Sequence, residues 1–240
     1  MNLSQIQSQL TALMNRRDFT ANTALQTTFI NQGIQRIQRE LRCPAMEKQL
    51  QITIPPNYVG WQGVTIPNDF LELIDIYDTS INIKMTKVDL SRALNGAQVQ
   101  SNTPMVNGSP QIAGPPTVYC RQGGQWILAP SPASGSIIQV DYYCELAPLV
   151  NPTDTNTISI IAWDLIVYAA LVQAGIYYND PRRGTTPNPA DPTKMVDGWE
   201  GQYNQILDSL QDQSDEDDEN GAAVVMPCYV MPLDWEFEHY

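Results

Sequence analysis

The sequence predicts an α+β protein: a helical bundle of about four helices, an inserted small antiparallel β-sheet or sandwich, and an extended acidic C-terminal tail. Three observations carry that expectation. Residues 158–178 read ISIIAWDLIVYAALVQAGIYY, where Ser159, Asp164 and Gln173 alone are plainly polar, so a helix there must be wrapped on all sides. Between residues 49 and 145 the apolar period drops to two and turn residues punctuate it. After Lys194 the chain has no Lys or Arg and twelve acids.

Leu3, Ile6, Leu10 and Leu13 fall at helical spacing, so residues 3–14 form an amphipathic helix. A second helix is expected from about Asn22 to Leu41, with Leu25, Phe29, Ile30, Ile34, Ile37 and Leu41 on one face. Arg36, Arg39 and Arg42 rise along another stripe. They are either a solvated face or a patch that meets acidic groups on a neighbouring subunit. Cys43-Pro44 ends the helix, because proline disfavours α geometry in the residue before it.

From Gln49, Leu50, Ile52 and Ile54 alternate with polar residues. Short strands follow around Gly60–Ile66, Leu73–Ile76 and Ile81–Met85, then a helical turn or two over Val88–Leu94. Residues 96–116 read as a long loop, a length that is usually functional or disordered. Val118–Arg121 and Trp126–Ala129 flank Gly123-Gly124 as a hairpin, and Ile137–Cys144 is the last of about seven strands. Asp154 and Thr155 are capping candidates for the central helix, and Asn179-Asp180-Pro181 stops it. Its length would allow a membrane span, but Asp164 and the lack of a tight basic flank favour a protein core. Asp191-Pro192 has the form of a helix start, and Met195, Trp199, Tyr203, Ile206, Leu207 and Leu210 mark the fourth helix. The division is therefore 1–48 and 146–210 for the bundle, 49–145 for the β-rich insert, and 211–240 for a docking tail.

The formal net charge of -13 is concentrated at that end, since residues 1–194 hold 14 acids and 13 bases. A neutral body with an anionic tail lacks the clustered cations that grip nucleic acid. The run Asp212, Asp215, Glu216, Asp217, Asp218, Glu219 is expected to be a solvated spacer that cannot fold alone. Beyond it, Tyr229, Met231, Leu233, Trp235, Phe237 and Tyr240 read as a docking peptide that orders on a partner, or as a segment that packs back on its own body. The N-terminus lacks the charged and apolar regions of a signal peptide. Cys43, Cys120, Cys144 and Cys228 have no metal or redox spacing and are expected as reduced thiols, with a Cys120–Cys144 bridge the alternative.

Little in the chain points to catalysis. The sole histidine is His239, and neither phosphate-binding glycine motif occurs. Glu216, Asp218, Asn220 and Gly221 imitate a calcium loop, but Pro227 stands where its bidentate carboxylate is required. The expectation is no enzyme, no cofactor and no metal.

Five segments in order carry a family resemblance: IQRIQRELRCPAME (34–47), VTIPNDFLELIDIY (64–77), GPPTVYCRQGGQWILAPSP (114–132), VDYYCELAPL (140–149) and the central helix ending at Tyr177-Tyr178-Asn179-Asp180. Over residues 22–210 the chain resembles the head-to-tail adaptor, or connector, proteins of short-tailed phages. The resemblance implies a structural virion protein at the head–tail junction, made in the host cytoplasm. It implies a homo-oligomer, a dodecameric ring, that joins the portal protein to the tail tube or nozzle protein. DNA would pass through without specific binding, and no membrane is involved. The resemblance carries over no catalytic residues, and the acidic run and aromatic tail match none of its motifs. The alternatives are another tail component that docks tail fibres and, further off, a cell-wall hydrolase.

Overall fold

The computed structural model describes residues 1–56, 63–93, 114–188 and 191–221, with side chains of 186–195 and 215–221 outside that description. It is an α+β protein, as the sequence predicts. Helix α1 spans Leu3–Met14, where Asn2 accepts from the Gln5 amide at 3.0 Å and Gln5 returns the bond in a capping box. Leu3, Ile6, Leu10 and Met14 are its buried stripe, while Leu13 is exposed. The basic stretch after it forms a short α2, Arg17–Thr20, because Phe19 turns fully inward. Helix α3 spans Thr23–Glu40, and Asn22 caps it by accepting from the Leu25 amide.

The central segment is two helices, not one. Asn156, rather than Asp154 or Thr155, supplies the cap and pairs reciprocally with Ser159. Helix α4 covers Thr157–Ile161; Ala162 leaves helical geometry at φ -132°, ψ 59°; α5 resumes over Trp163–Tyr178 and ends on Asn179 in the left-handed region. Asp154 is used elsewhere, accepting from the Val150 and Asn151 amides in the turn that meets the start of α1. Helix α5 is buried on nearly every side by α1, α3 and α6 (Trp199–Gly221). Gly33 of α3 is what lets it come close: a Cβ there would lie 3.0 Å from both the Ala169 Cβ and the Ala170 nitrogen. Among the described residues, no helix is long and apolar enough to cross a membrane.

Among the described residues, eight strands in two four-stranded sheets lie between α3 and α4. The first has the order β1 (Glu47–Thr53), β8 (Ile137–Cys144), β3 (Phe70–Asp78), β4 (Ile83–Lys84). The second has the order β2 (Val64–Thr65), β7 (Gln125–Ala129), β6 (Val118–Gln122), β5 (Thr86–Lys87). The expected hairpin is there: Gln122 pairs with Gln125 across Gly123-Gly124, and Gly123 takes φ +60°, which glycine adopts without strain. The sheets face each other as a sandwich. Ile76, Ile138, Val140 and Tyr142 of one pack on Tyr119, Trp126 and Leu128 of the other. On the far face of the second sheet, Cys120, Ile127 and Ala129 are covered by Ala93, Val88 and Leu90.

The chain after α5 departs from expectation. Asp191–Val196 is strand β10, paired with β9 (Thr186–Asn188), and α6 begins only at Trp199. Asp191-Pro192 therefore opens a strand, and Met195 lies in that strand. Helix α6 also continues through the acidic run to Gly221, where an unfolded spacer was expected. Extending an existing helix avoids the cost of nucleation, which offsets some of the like-charge repulsion. The long loop falls mostly outside the described residues, as does the docking peptide.

Candidate interaction surfaces

The three arginines do not form one stripe. The helix ends at Glu40 and Leu41 is extended, so Arg42 lies past the helix and leaves the line of Arg36 and Arg39. Arg36 lies over the Tyr203 ring at 4.2 Å and pairs with Glu40 at 3.0 Å and Glu200 at 3.4 Å. Tyr203, fully buried, donates its hydroxyl to Glu40 at 2.6 Å. Burial, then the Glu40 carboxylate, pushes the Tyr203 hydroxyl far above its ordinary range. This cluster fastens α6 to α3. Arg42 faces the insert: it donates to Glu72 of β3 at 2.8 Å and to the Gln38 and Leu41 carbonyls. Arg39 is exposed, and among the described residues it has no partner.

A second set of bonds holds the chain where it returns from the insert to the bundle. The Asn31 side chain donates to the Leu149 carbonyl and accepts its amide, both at 2.9 Å, and Gln38 accepts the Leu146 amide at 3.2 Å. Asp69 accepts the Tyr142 hydroxyl at 3.0 Å and is ion-paired with Lys48. The Lys48 ammonium first, and the Tyr142 hydroxyl after it, hold the Asp69 carboxyl below the usual carboxylate range. None of these roles could be read from spacing, because each partner lies far away in the chain.

Asp164 is half-buried in the first turn of α5 and accepts from the Leu165 amide at 3.0 Å, a local use that suits a helix N-terminus. Asp212 is exposed on α6. Asp215, Glu216, Asp217, Asp218 and Glu219 continue that helix, but their side chains lie outside the described residues. Tyr229, Met231, Leu233, Trp235, Phe237 and Tyr240 lie outside them altogether. Cys43, Cys120 and Cys144 are free thiols; Cys120 and Cys144 sit in different sheets, and burial pushes all three up. Among the described residues no cluster of His, Cys, Asp and Glu could hold a metal ion.

Within the described body, then, Arg36, Arg42, Glu40, Tyr203, Asn31 and Asp69 all join elements of the chain to one another. The sequence matches the SU10 adaptor protein family over residues 1–227. The chain belongs to that family, and so to the structural adaptors of phage virions. No curated protein matches it.

Proposed function

We propose that the chain is a head-to-tail adaptor that assembles as a ring between the portal protein and the tail tube or nozzle, around a channel for DNA. The family match over nearly the whole chain carries this reading. The body supports it: α6 is clamped to α3 by Arg36, Glu40 and Tyr203, then runs on into the acids. In a ring those acids form a negative collar. Facing the channel, a collar of that sign repels the DNA backbone and keeps it from adhering. Arg39, exposed and unpartnered among the described residues, is the proposed cation at the subunit boundary. The aromatic tail, with Tyr229, Met231, Leu233, Trp235, Phe237 and Tyr240, anchors each subunit to a partner in the assembly.

The test is the mass of the purified chain with and without portal protein. A closed high-order complex on the portal is expected. A chain that stays monomeric with portal yet binds a fibre protein would give the fibre-docking alternative precedence. Deleting residues 222–240 should leave the helical signal intact and weaken assembly. Assembly undiminished by that deletion removes the anchoring role of the tail.

A further inference from the structure

Among the described residues, the sandwich is closed on one side and open on the other. On the closed side the chain crosses directly from β4 to β5 through Met85, which is buried, and the Met85 amide donates to the Ile76 carbonyl. On the other side β1 and β2 are the outer strands of their sheets. Between them runs a groove of ≈ 490 Å³ lined by Leu50, Ile52, Ile54, Val64 and Ile66, among others. Leu50 and Ile52 share a face with the buried Val140 and Ile138, yet they are only half-buried themselves.

Among the described residues, no strand pairs with residues 48–53 of β1 on the side away from β8. The Ile54 amide is bonded to the Ser136 carbonyl, and Ile137 accepts from Thr79 on the opposite side of β8. Antiparallel alternation then gives Lys48, Leu50 and Ile52 the bonds to β8, and turns the N–H and C=O of Gln49, Gln51 and Thr53 away from the sheet. An outer strand with an apolar groove under it is a template for an added strand, a feature that proteins normally blunt or cover.

The chain carries a segment that fits. Residues 233–238 read Leu-Asp-Trp-Glu-Phe-Glu, strict alternation of apolar with acidic residues, which is the pattern of a strand with one buried face. Paired with β1, Leu233, Trp235 and Phe237 enter the groove, while Asp234, Glu236 and Glu238 lie outward beside the Gln49 and Gln51 amides. The tail is long enough to extend well clear of its own helix, which ends at Gly221. The eleven residues 222–232 can span up to about 38 Å.

We infer that the β1 edge and the seam beneath it receive residues 233–240 of a second copy of this chain as an added strand. This rests on the ring reading: tail and edge are different surfaces, so each copy gives one and takes one, the head-to-tail contact from which rings close.

Three measurements test it together. First, a synthetic peptide of residues 222–240 should bind the chain lacking those residues. It should slow hydrogen exchange at Gln49, Gln51 and Thr53 at least tenfold, and a peptide with Trp235→Asp and Phe237→Asp should not. Second, Gln51→Pro removes an outward N–H without touching the bonds to β8, and should weaken peptide binding at least tenfold. Leu50→Lys, which puts a charge in the groove, should do the same and serves if the proline variant does not fold. Third, the tail-less chain and the full-length Gln51→Pro chain should pair when mixed, although neither self-associates. No peptide binding at about 1 mM overturns the inference. So does binding that protects residues other than those of β1, or protection of β1 in a dilute full-length monomer. If Gln51→Pro and Leu50→Lys assemble like the unaltered chain while the tail deletion does not, the edge is not the receiver and the anchoring tail stands. If the tail deletion also assembles normally, both readings fall.

Discussion

The bundle and the sandwich are built from similar apolar residues but are closed to different degrees. In the bundle, α5 is enclosed by helices, and even its backbone is approached closely at Gly33. In the sandwich, Trp126 and Tyr142 are as buried as any bundle residue, yet Leu50 and Ile52 at the β1 edge are half open. A helix satisfies its own backbone and needs company only for its side chains. A sheet leaves unpaired backbone wherever it stops. The bundle therefore satisfies its backbone within one chain, although Ile160, Ile161, Ile176 and Tyr177 stay exposed on it, while among the described residues the sandwich leaves β1 as an outer strand.

The largest contrast should come from cavity substitutions. Leu171→Ala removes a fully buried side chain in α5 and is expected to cost about 3–4 kcal/mol, read as a lower denaturant midpoint. Gly33→Leu acts in the opposite sense, by forcing α3 away from Ala169 and Ala170. It should cost about 2–3 kcal/mol and lower the midpoint with no loss of helical signal at low denaturant. If Gly33→Leu is neutral, the close helix crossing is not a constraint and the bundle is looser than its geometry indicates.

Much of this architecture could be read from residue order, and what escaped did so for physical reasons. Period and punctuation gave α1, α3 and the Gly123-Gly124 hairpin, since each depends on local signals. The break at Ala162 left no trace because apolar residues on both sides erase the helical face that would show a change of direction. Asp191-Pro192 fits the first residues of a strand as well as those of a helix, and pairing with Thr186–Asn188 decides between them. The contacts of Arg36 and Arg42 were not legible because Arg42 lies past the helix end and the partners Glu200, Tyr203 and Glu72 are supplied by the rest of the fold. The alternation in residues 233–238 is plain in the sequence, but it suggests a strand partner only beside β1, an outer strand among the described residues.

A middle-sized effect is expected at the clamp between α3 and α6. Tyr203→Phe deletes a hydrogen bond to a charged acceptor and, with Glu40 partly in solvent, should cost about 1.5 kcal/mol near neutral pH. The pH dependence has a definite sign. Folding raises the Tyr203 hydroxyl above its ordinary value of 10.0, so its stabilisation is complete below pH 10. Above pH 10 the unfolded chain releases that proton and the folded chain keeps it, so stability falls as pH rises. The substitution should flatten the alkaline limb of stability against pH by up to about 1.4 kcal/mol per pH unit. An unchanged limb would mean that the hydroxyl titrates alike in both states, and that the clamp does not depend on it.

The smallest expected effect bears most directly on the contrast between the two regions. Ile52→Ala in the chain lacking residues 222–240 should cost about 1 kcal/mol, since the side chain is already half in water and leaves no sealed cavity. The same substitution in the assembled full-length protein should cost distinctly more, because an added strand would bury Ile52 and turn its loss into a cavity. The comparison is between denaturant midpoints of the tail-less chain and dissociation midpoints of the assembly. A cost near 3 kcal/mol in the isolated tail-less chain would show the groove to be filled without the tail. The sandwich would then be as closed as the bundle, and β1 would have no opening to offer a second copy.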